Sequence, residues 1–300
     1  MLVFDGLVKR YGALTAVDHL SFEVAPGKVT GFLGPNGAGK TTTLRIASQL
    51  VRADAGRVTF NGRTFRQLRK PMTHVGVALE PTIFHPGRSA QNHLMMLAPY
   101  AGVGRRRVKE VLDFVGLADV GKKRVGQFSL GMRGRLNLAA AMLGNPAILL
   151  LDEPVNGLDP EGIRWIRDLL RALADEGRTV LTSSHLLSEV EQTVDEVVII
   201  AHGQLQYQGS LDRLEASQAP RTLVETTQRE ALLGLAQANG WKVDLSGGAR
   251  SVAVTIEGPT ARQIGAATFG AGIILDQLAS QASGLEEIFF SLTEGREGMR

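Results

Sequence analysis

Apolar residues are arranged in two different patterns along the first two thirds of the chain. Short apolar runs rich in β-branched residues predict strands, and apolar residues that recur every three or four positions predict helices. The predicted strands are 28–33, 57–60, 148–151, 179–183, 197–201 and 204–208. The predicted helices are 40–50, 89–97, 105–115, 131–143 and 161–174. Because strands that alternate with helices build a mainly parallel sheet covered on both faces, an α/β fold is predicted here.

After residue 215 the pattern changes, and a second group of elements is predicted. Its predicted strands are 222–226, 241–245, 252–256 and 273–278, and its predicted helices are 230–238, 260–269 and 285–293. The order is βαββαβ followed by a helix, which resembles a small ferredoxin-like unit. We therefore expect two domains, one of residues 1–215 and an accessory α+β domain of residues 216–300.

A glycine-rich segment joins the first predicted strand of this α/β part to its first helix. The segment fits the phosphate-binding pattern G-x-x-x-x-G-K-[ST], in which backbone amides and the start of a helix surround phosphate oxygens. The residues expected to bind the nucleotide are Gly34, Pro35, Asn36, Gly37, Ala38, Gly39, Lys40, Thr41 and Thr42. Lys40 is expected to reach the β- and γ-phosphates, and the Thr41 hydroxyl is expected to ligate Mg²⁺.

Two adjacent carboxylates, Asp152 and Glu153, follow the continuous apolar run 148–151. Ligands bind where the strands of an open α/β sheet end. Asp152 is expected to hold Mg²⁺, and Glu153 is expected to act as the general base that orients the attacking water. Together with the phosphate loop, these residues predict a nucleoside triphosphatase of the phosphate-loop type, but not which one.

The segment Phe-Ser-Leu-Gly-Met-Arg-Gly-Arg-Leu at 128–136 narrows the choice. It resembles the signature motif of ATP-binding-cassette (ABC) ATPases, usually Leu-Ser-Gly-Gly-Gln followed by basic residues. Ser129, Gly131, Arg133 and Arg135 match, and the departures between them are similar to those of ABC-2 type export ATPases. The resemblance implies that Ser129 and Gly131 contact a terminal phosphate at the start of a helix.

Further residues match the same family in their order along the chain. Asp159 matches the D-loop aspartate, and His185 matches the switch histidine that contacts the γ-phosphate. Tyr11 resembles the aromatic residue that stacks on adenine. Glu80 stands where the family usually carries the Q-loop glutamine, and its carboxylate can ligate Mg²⁺. The resemblance covers residues 2–208, so the chain is identified as a member of the ABC ATPases.

Membership of this family implies both partners and a location. Two copies of the chain face head to tail and enclose two ATP molecules, so hydrolysis requires a homodimer. A separate membrane-spanning permease subunit is expected to dock around residues 80–93, which places the chain in the cytoplasm, peripheral on the inner face of the cell membrane. Residues 282–289 resemble the tail of ABC-2 export ATPases of the antibiotic-resistance kind, which implies export of drugs, antibiotics or other small hydrophobic compounds.

Composition excludes several other classes of protein. Hydrophobic residues at 44% and charged residues at 21% are typical of a folded globular chain. The absence of cysteine excludes a disulfide framework, a thiol nucleophile and a thiolate zinc site. No window approaches 18 uninterrupted apolar residues, so no membrane span is expected. A net charge of +3 is too small to indicate a surface that tracks phosphates, and no nucleic-acid partner is expected.

Two other functions remain open. One is a soluble ABC ATPase that acts on nucleic acid or ribosomes, although only 88 residues separate Lys40 from Ser129, without sustained heptads, and the chain carries one cassette. The other is a nucleotide-gated scaffold with weak hydrolysis, which the altered signature and Glu80 favour. The intact pair Asp152 and Glu153 favours hydrolysis.

Overall fold

The chain divides into two units, each with a core of its own. The structure is a computed structural model that describes residues 1–79, 84–184, 187–216, 219–244, 253–281 and 285–294. The first unit consists of Met1–Leu211 together with residues 292–294, and the second consists of Asp212–Ser291.

The first unit is built from two sheets and the helices between their strands. Its strands are β1 (Leu2–Tyr11), β2 (Leu14–Val24), β3 (Lys28–Leu33), β4 (Ala55–Phe60), β5 (Arg63–Thr64), β6 (Val75–Ala78), β7 (Ile148–Asp152), β8 (Thr179–Ser183), β9 (Glu196–Ala201) and β10 (Gln204–Ser210). Its helices are α1 (Lys40–Ala47), α2 (Ala90–Ala101), α3 (Arg105–Phe114), α4 (Leu130–Met142), α5 (Pro160–Asp175) and α6 (Leu187–Glu191). A short helix α7 (Leu211–Ala216) begins at the boundary between the units.

The larger sheet has six strands in the order β10-β9-β3-β8-β7-β6. The five strands from β9 to β6 pair in parallel, and β10 is an antiparallel edge strand. Every residue of β7 is buried, as expected for a strand covered on both faces. This arrangement confirms the predicted α/β fold. Because β3, β8 and β7 are neighbours, their carboxyl ends meet at one edge of the sheet.

The smaller sheet of the first unit is antiparallel, in the order β2-β1-β4-β5, and only β4 was predicted from the sequence. Three register shifts interrupt the pairing of β1 with β2, and the burial pattern of β1 does not alternate. The period-two signal that marks a half-buried strand is therefore lost in β1, although it is present at residues 20–24 of β2. The ring of Phe22 stacks on those of Phe4 and Phe32, at 4.1 and 5.3 Å between centroids, and joins the two sheets in one core.

The second unit has the connectivity of a split βαβ motif. Its elements are β11 (Arg221–Glu225), α8 (Arg229–Ala238), β12 (Lys242–Asp244), β13 (Ala253–Glu257), α9 (Ala261–Gly270), β14 (Gln277–Gln281) and α10 (Leu285–Glu294). The sheet order is β12-β13-β11-β14, with antiparallel pairs throughout. The last strand begins four residues later than predicted, because the apolar run at 273–275 forms a loop in which Ile273 is buried and Ile274 is exposed.

Candidate active site

The phosphate loop connects β3 to α1, and two of its glycines are required by close contacts with other backbone segments. A Cβ on Gly34 would lie 2.5 Å from the carbonyl oxygen of Ile200, and one on Gly39 would lie 2.3 Å from that of Ala16. Gly39 also has a φ of 103°, which a residue with a side chain rarely adopts. Gly39 is the N-cap of α1, no side chain of the described residues caps the helix, and its first turn contains no acidic residue. The first amides of α1 therefore fit phosphate oxygens.

Lys40 is folded back over this loop. Its side chain is buried, and its Nζ donates hydrogen bonds to the carbonyl oxygens of Gly34 at 2.5 Å and Pro35 at 3.1 Å. Burial lowers the pKa of the Lys40 ammonium below its usual value, while Glu153 and Asp152 act in the opposite direction. A cation in such surroundings gains much from a phosphate, because an anion within reach offsets the loss of hydration.

Asp152 connects the phosphate loop to the end of β7. Its carboxylate is buried, and Oδ2 accepts a hydrogen bond from the Thr41 hydroxyl at 3.1 Å. Oδ1 accepts a hydrogen bond of 2.5 Å from the Ser183 hydroxyl. The structure thus brings together two of the three predicted metal ligands, which lie 111 residues apart in the chain. A hydroxyl and a carboxylate are the hard oxygen donors that Mg²⁺ requires, so these residues fit that ion.

Glu153 follows Asp152 in a left-handed backbone conformation with a φ of 49°. For a residue other than glycine, such a conformation costs on the order of 1–3 kcal/mol. The backbone N–H of Glu153 donates to the Ser183 hydroxyl at 2.9 Å, and its carboxylate accepts a hydrogen bond from the Asn156 side-chain amide. The turn therefore holds the carboxylate at the edge of the sheet, next to Asp152.

Ser183 and Asn156 are functional candidates that the sequence analysis did not assign. Ser183 is the last residue of β8 and pairs in register with Asp152, so the parallel pairing of β8 with β7 determines their contact. Asn156 lies three residues after Glu153, inside the segment that carries the predicted D-loop aspartate. The signal for Ser183 was a polar residue at the end of a strand. That signal can be used only when β8 is known to be the neighbour of β7.

The predicted signature residues lie on the surface at the start of α4. The hydroxyl of Ser129 caps this helix by accepting a hydrogen bond from the Met132 N–H at 3.2 Å. Asp159 caps α5 in the same way, with Oδ1 accepting from the Gly162 N–H at 2.9 Å. Ser129, Gly131 and Asp159 line one open cavity of about 470 Å³. Within the described ranges, no hydrogen bond joins these three residues to the phosphate loop.

The remaining predicted site residues differ in how far the structure describes them. Tyr11 ends β1 with 48% of its surface exposed, and the Lys9 ammonium lies 5.3 Å from the centroid of its ring. Tyr11 pairs with Leu14 in the hairpin that continues to Ala16, the residue whose carbonyl oxygen contacts Gly39. Glu80 and His185 lie outside the described residues.

A second cavity of the first unit, of about 400 Å³, lies beside α2 and α4. Leu79, Phe84, His93, Leu97 and Asn137 contribute to its mainly apolar lining. The side-chain amide of Asn137 donates to the carbonyl oxygen of Leu79, which connects α4 to the end of β6. Burial, reinforced by Arg88, lowers the pKa of His93 and favours its neutral form. The cavity is therefore suited to an apolar segment of a partner.

None of the helices in the described part of the chain is both long enough and apolar enough to cross a lipid bilayer.

Comparisons with known proteins agree on one family. The family model described as ABC transporter matches residues 17–156. The bacitracin transport ATP-binding protein of Bacillus licheniformis is 43% identical over 212 residues, which are 70% of this chain and 69% of that protein. The daunorubicin resistance ATP-binding protein of Streptomyces coeruleorubidus is 35% identical over 301 residues, 97% of this chain and 95% of that protein. A solved ATP-binding subunit of an ABC transporter is similar with a TM-score of 0.66 and 25% identity, over 72% of this chain and 92% of its own.

Proposed function

Because the chain belongs to the ATP-binding proteins of ABC transporters, whose ATPases power transport across membranes, we propose that it energises the export of antibiotics, drugs or other small hydrophobic compounds. The contact that supports hydrolysis most directly is the hydrogen bond from Thr41 to Asp152, which assembles oxygen ligands beside the phosphate loop. Similarity to the daunorubicin resistance protein extends over almost the whole chain, including the second unit, and this supports export.

The residues at the sheet edge divide the work of hydrolysis. The amides at the start of α1 and the Lys40 ammonium bind the phosphates of ATP. Thr41 and Asp152 would hold Mg²⁺, which would neutralise phosphate charge. Glu153 orients the attacking water and accepts its proton. The Ser183 hydroxyl accepts a hydrogen bond from the backbone N–H of Glu153 and so holds that backbone in position.

A second copy of the chain completes each site. Ser129, Gly131 and Asp159 line an open cavity, and their described hydrogen bonds leave them outside the phosphate loop of their own chain. In a head-to-tail homodimer this cavity faces the phosphate loop of the partner, and ATP contributes contacts to both copies. Hydrolysis removes those contacts and weakens the dimer, which makes the dimer a two-state element biased by its ligand.

The apolar cavity beside α2 is the proposed docking site of the permease subunit. It contains Phe84 and His93, which fall within the predicted docking segment, and its lining offers apolar area to a partner helix. The permease would hold the chain at the inner face of the cell membrane.

Dimerisation and hydrolysis can be tested together with Glu153→Gln, which keeps the shape of the side chain but removes the base. With Mg-ATP this variant should elute as a dimer and lose about 10²–10⁴-fold in turnover, because a general base contributes that much. The wild-type chain should hydrolyse ATP at a rate per chain that rises with protein concentration, and chelation of Mg²⁺ should stop it. A monomeric elution profile of Glu153→Gln, or a rate per chain independent of concentration, would contradict the dimer.

Export is tested separately. A tagged chain purified from detergent-solubilised membranes of its host should bring down a membrane protein with several spanning helices. Recovery of nucleic acid in its place would favour the soluble alternative.

A further inference from the structure

The small net charge of the chain conceals a strong separation of charge along it. Residues 45–143 hold 17 Lys and Arg against five Asp and Glu, a net charge of +12. Residues 144–300 hold 12 against 22, a net charge of −10. A segment of this charge has a strong field at its surface and attracts anionic partners.

Most cations of residues 45–143 form no ion pair with any residue that the structure describes. Among the described residues, three of the 17 form ion pairs, namely Arg57 with Asp5, and Arg106 and Arg107 with Glu110. Asp54, one of the few acids of the segment, pairs with Lys9 outside it. The other fourteen cations form no ion pair in that described set, and eleven of them are exposed to solvent and external anions. Arg133 and Arg135 instead donate to backbone carbonyl oxygens, and Arg135 also lies over the ring of Trp165.

Two of these cations lie near the C-terminal end of α2. Lys70 Nζ lies 3.0 Å from the position that a Cβ on Gly102, the C-cap of α2, would take. Arg105 is exposed at the first position of α3, just after this cap. Met96 and Tyr100 are 46% and 71% exposed, and their spacing of four residues places them on one face of α2. Exposed apolar and aromatic side chains among cations are typical of surfaces that lie in a membrane interface.

A second group of cations lies at the other end of α2. The Val125 N–H donates to the carbonyl oxygen of Arg88 at 2.9 Å, and the bridge between Ser89 and Arg124 holds the same two segments side by side. Lys122 and Lys123 are exposed on the second of these segments. The apolar cavity proposed for the permease lies between the two groups, because residues in the middle of α2 line it.

We propose that these six cations, Lys70, Arg88, Arg105, Lys122, Lys123 and Arg124, form a basic rim that binds the anionic phospholipid headgroups of the inner membrane leaflet. The inference rests on the proposed function, because a permease seated in the apolar cavity brings the rim to the membrane. Charge complementarity to an anionic leaflet supports it, and so does the exposure of Met96 and Tyr100 at the same helix. The rim thus adds a lipid contact to the proposed permease contact.

The test is sedimentation of the full-length chain with vesicles of phosphatidylcholine alone or mixed with phosphatidylglycerol. The chain should bind the mixed vesicles only, and binding should fall as salt shortens the Debye length from about 10 Å at 0.1 M to about 3 Å at 1 M. The triple variant Arg105→Gln, Lys122→Gln and Lys123→Gln should bind roughly a hundredfold more weakly, at about fivefold for each cation near the surface.

The matched control removes three exposed cations elsewhere, with Arg164→Gln, Lys242→Gln and Arg262→Gln. Both triple variants lower the net charge equally, so equal losses of vesicle binding would overturn the proposal, as would no binding of the wild-type chain to mixed vesicles. Tighter binding to duplex DNA than to vesicles, lost in the rim variant, would overturn the lipid proposal and identify nucleic acid as the ligand of the rim. ATP hydrolysis without vesicles should be the same in all three proteins, so failure of the rim is distinguishable from failure of the ATPase.

Discussion

The phosphate-loop region and the signature region, both proposed to contact ATP, differ in how their residues are held in place. Lys40, Asp152 and Ser183 are buried. Hydrogen bonds of these residues connect the phosphate loop, α1, β7 and β8. Ser129 and Asp159 are exposed, and each caps its own helix. The first region is organised within one chain, because parallel strands bring its residues to one edge. The second region is a surface, and in the proposed homodimer its contact with ATP involves the phosphate loop of another copy.

The largest effect on this contrast is expected from Lys40→Ala. Loss of the ammonium removes charge-assisted hydrogen bonds to phosphate, so ATP affinity should fall by about a hundredfold or more. Titration calorimetry of the isolated chain measures this directly, because all of the proposed phosphate-loop contacts come from one copy. An unchanged affinity would show that the ammonium does not contact phosphate. The neighbouring Arg45→Ala, an exposed change in the last turn of α1, is the control and should leave affinity unaltered.

A smaller and different effect is expected from Ser129→Ala. At a protein concentration that supports dimers, hydrolysis should fall by about tenfold to thirtyfold, since one hydroxyl–phosphate hydrogen bond is lost. ATP affinity of the dilute chain should not change. Because the change also removes a helix cap worth roughly 1 kcal/mol, Ser129→Asn serves as the control that keeps the cap. If Asn restored hydrolysis together with stability, Ser129 would be only a cap.

The smallest effect is expected from Asn156, which connects the two regions. It lies in the segment leading to Asp159, yet its amide donates to the carboxylate of Glu153. Asn156→Ser should lower turnover by about threefold to tenfold with the KM for ATP unchanged, because the base loses part of its orientation. Asn156→Asp should lower turnover further, since it places a second carboxylate against Glu153. Steady-state kinetics would contradict this role if the Ser and Asp variants behaved alike.

The parts of the molecule predictable from sequence are those defined by local pattern. The phosphate loop is a contiguous motif, and β7 is a continuous apolar run, so both were recognisable without a fold. The strand β1 was missed, because bulges disrupt the alternation that a strand prediction needs. The alternation is intact at residues 20–24 of β2, so the signal for that strand was present in the sequence and overlooked. Ser183 was missed for another reason: its contact with Asp152 depends on which strands are neighbours and in what register.

The net charge of the whole chain did not reveal its basic segment. A sum over 300 residues cancels +12 against −10 and gives no indication of a charged surface. The positions of the charged residues can be read from the sequence, but the ion pairs that they form cannot. Only contacts such as those of Arg57, Arg106 and Arg107 separate the compensated cations from the remainder.

At Glu153 the energetic cost of a left-handed backbone coincides with the proposed position of the catalytic base. Glycine or asparagine adopts this conformation at less cost than glutamate, so folding alone would favour replacing the residue. A cassette that no longer needs to hydrolyse ATP can gain stability by the same change that silences it. With Glu153 as the proposed base, its replacement by glycine should therefore raise the free energy of unfolding while it abolishes hydrolysis, so a more stable cassette can be an inactive one.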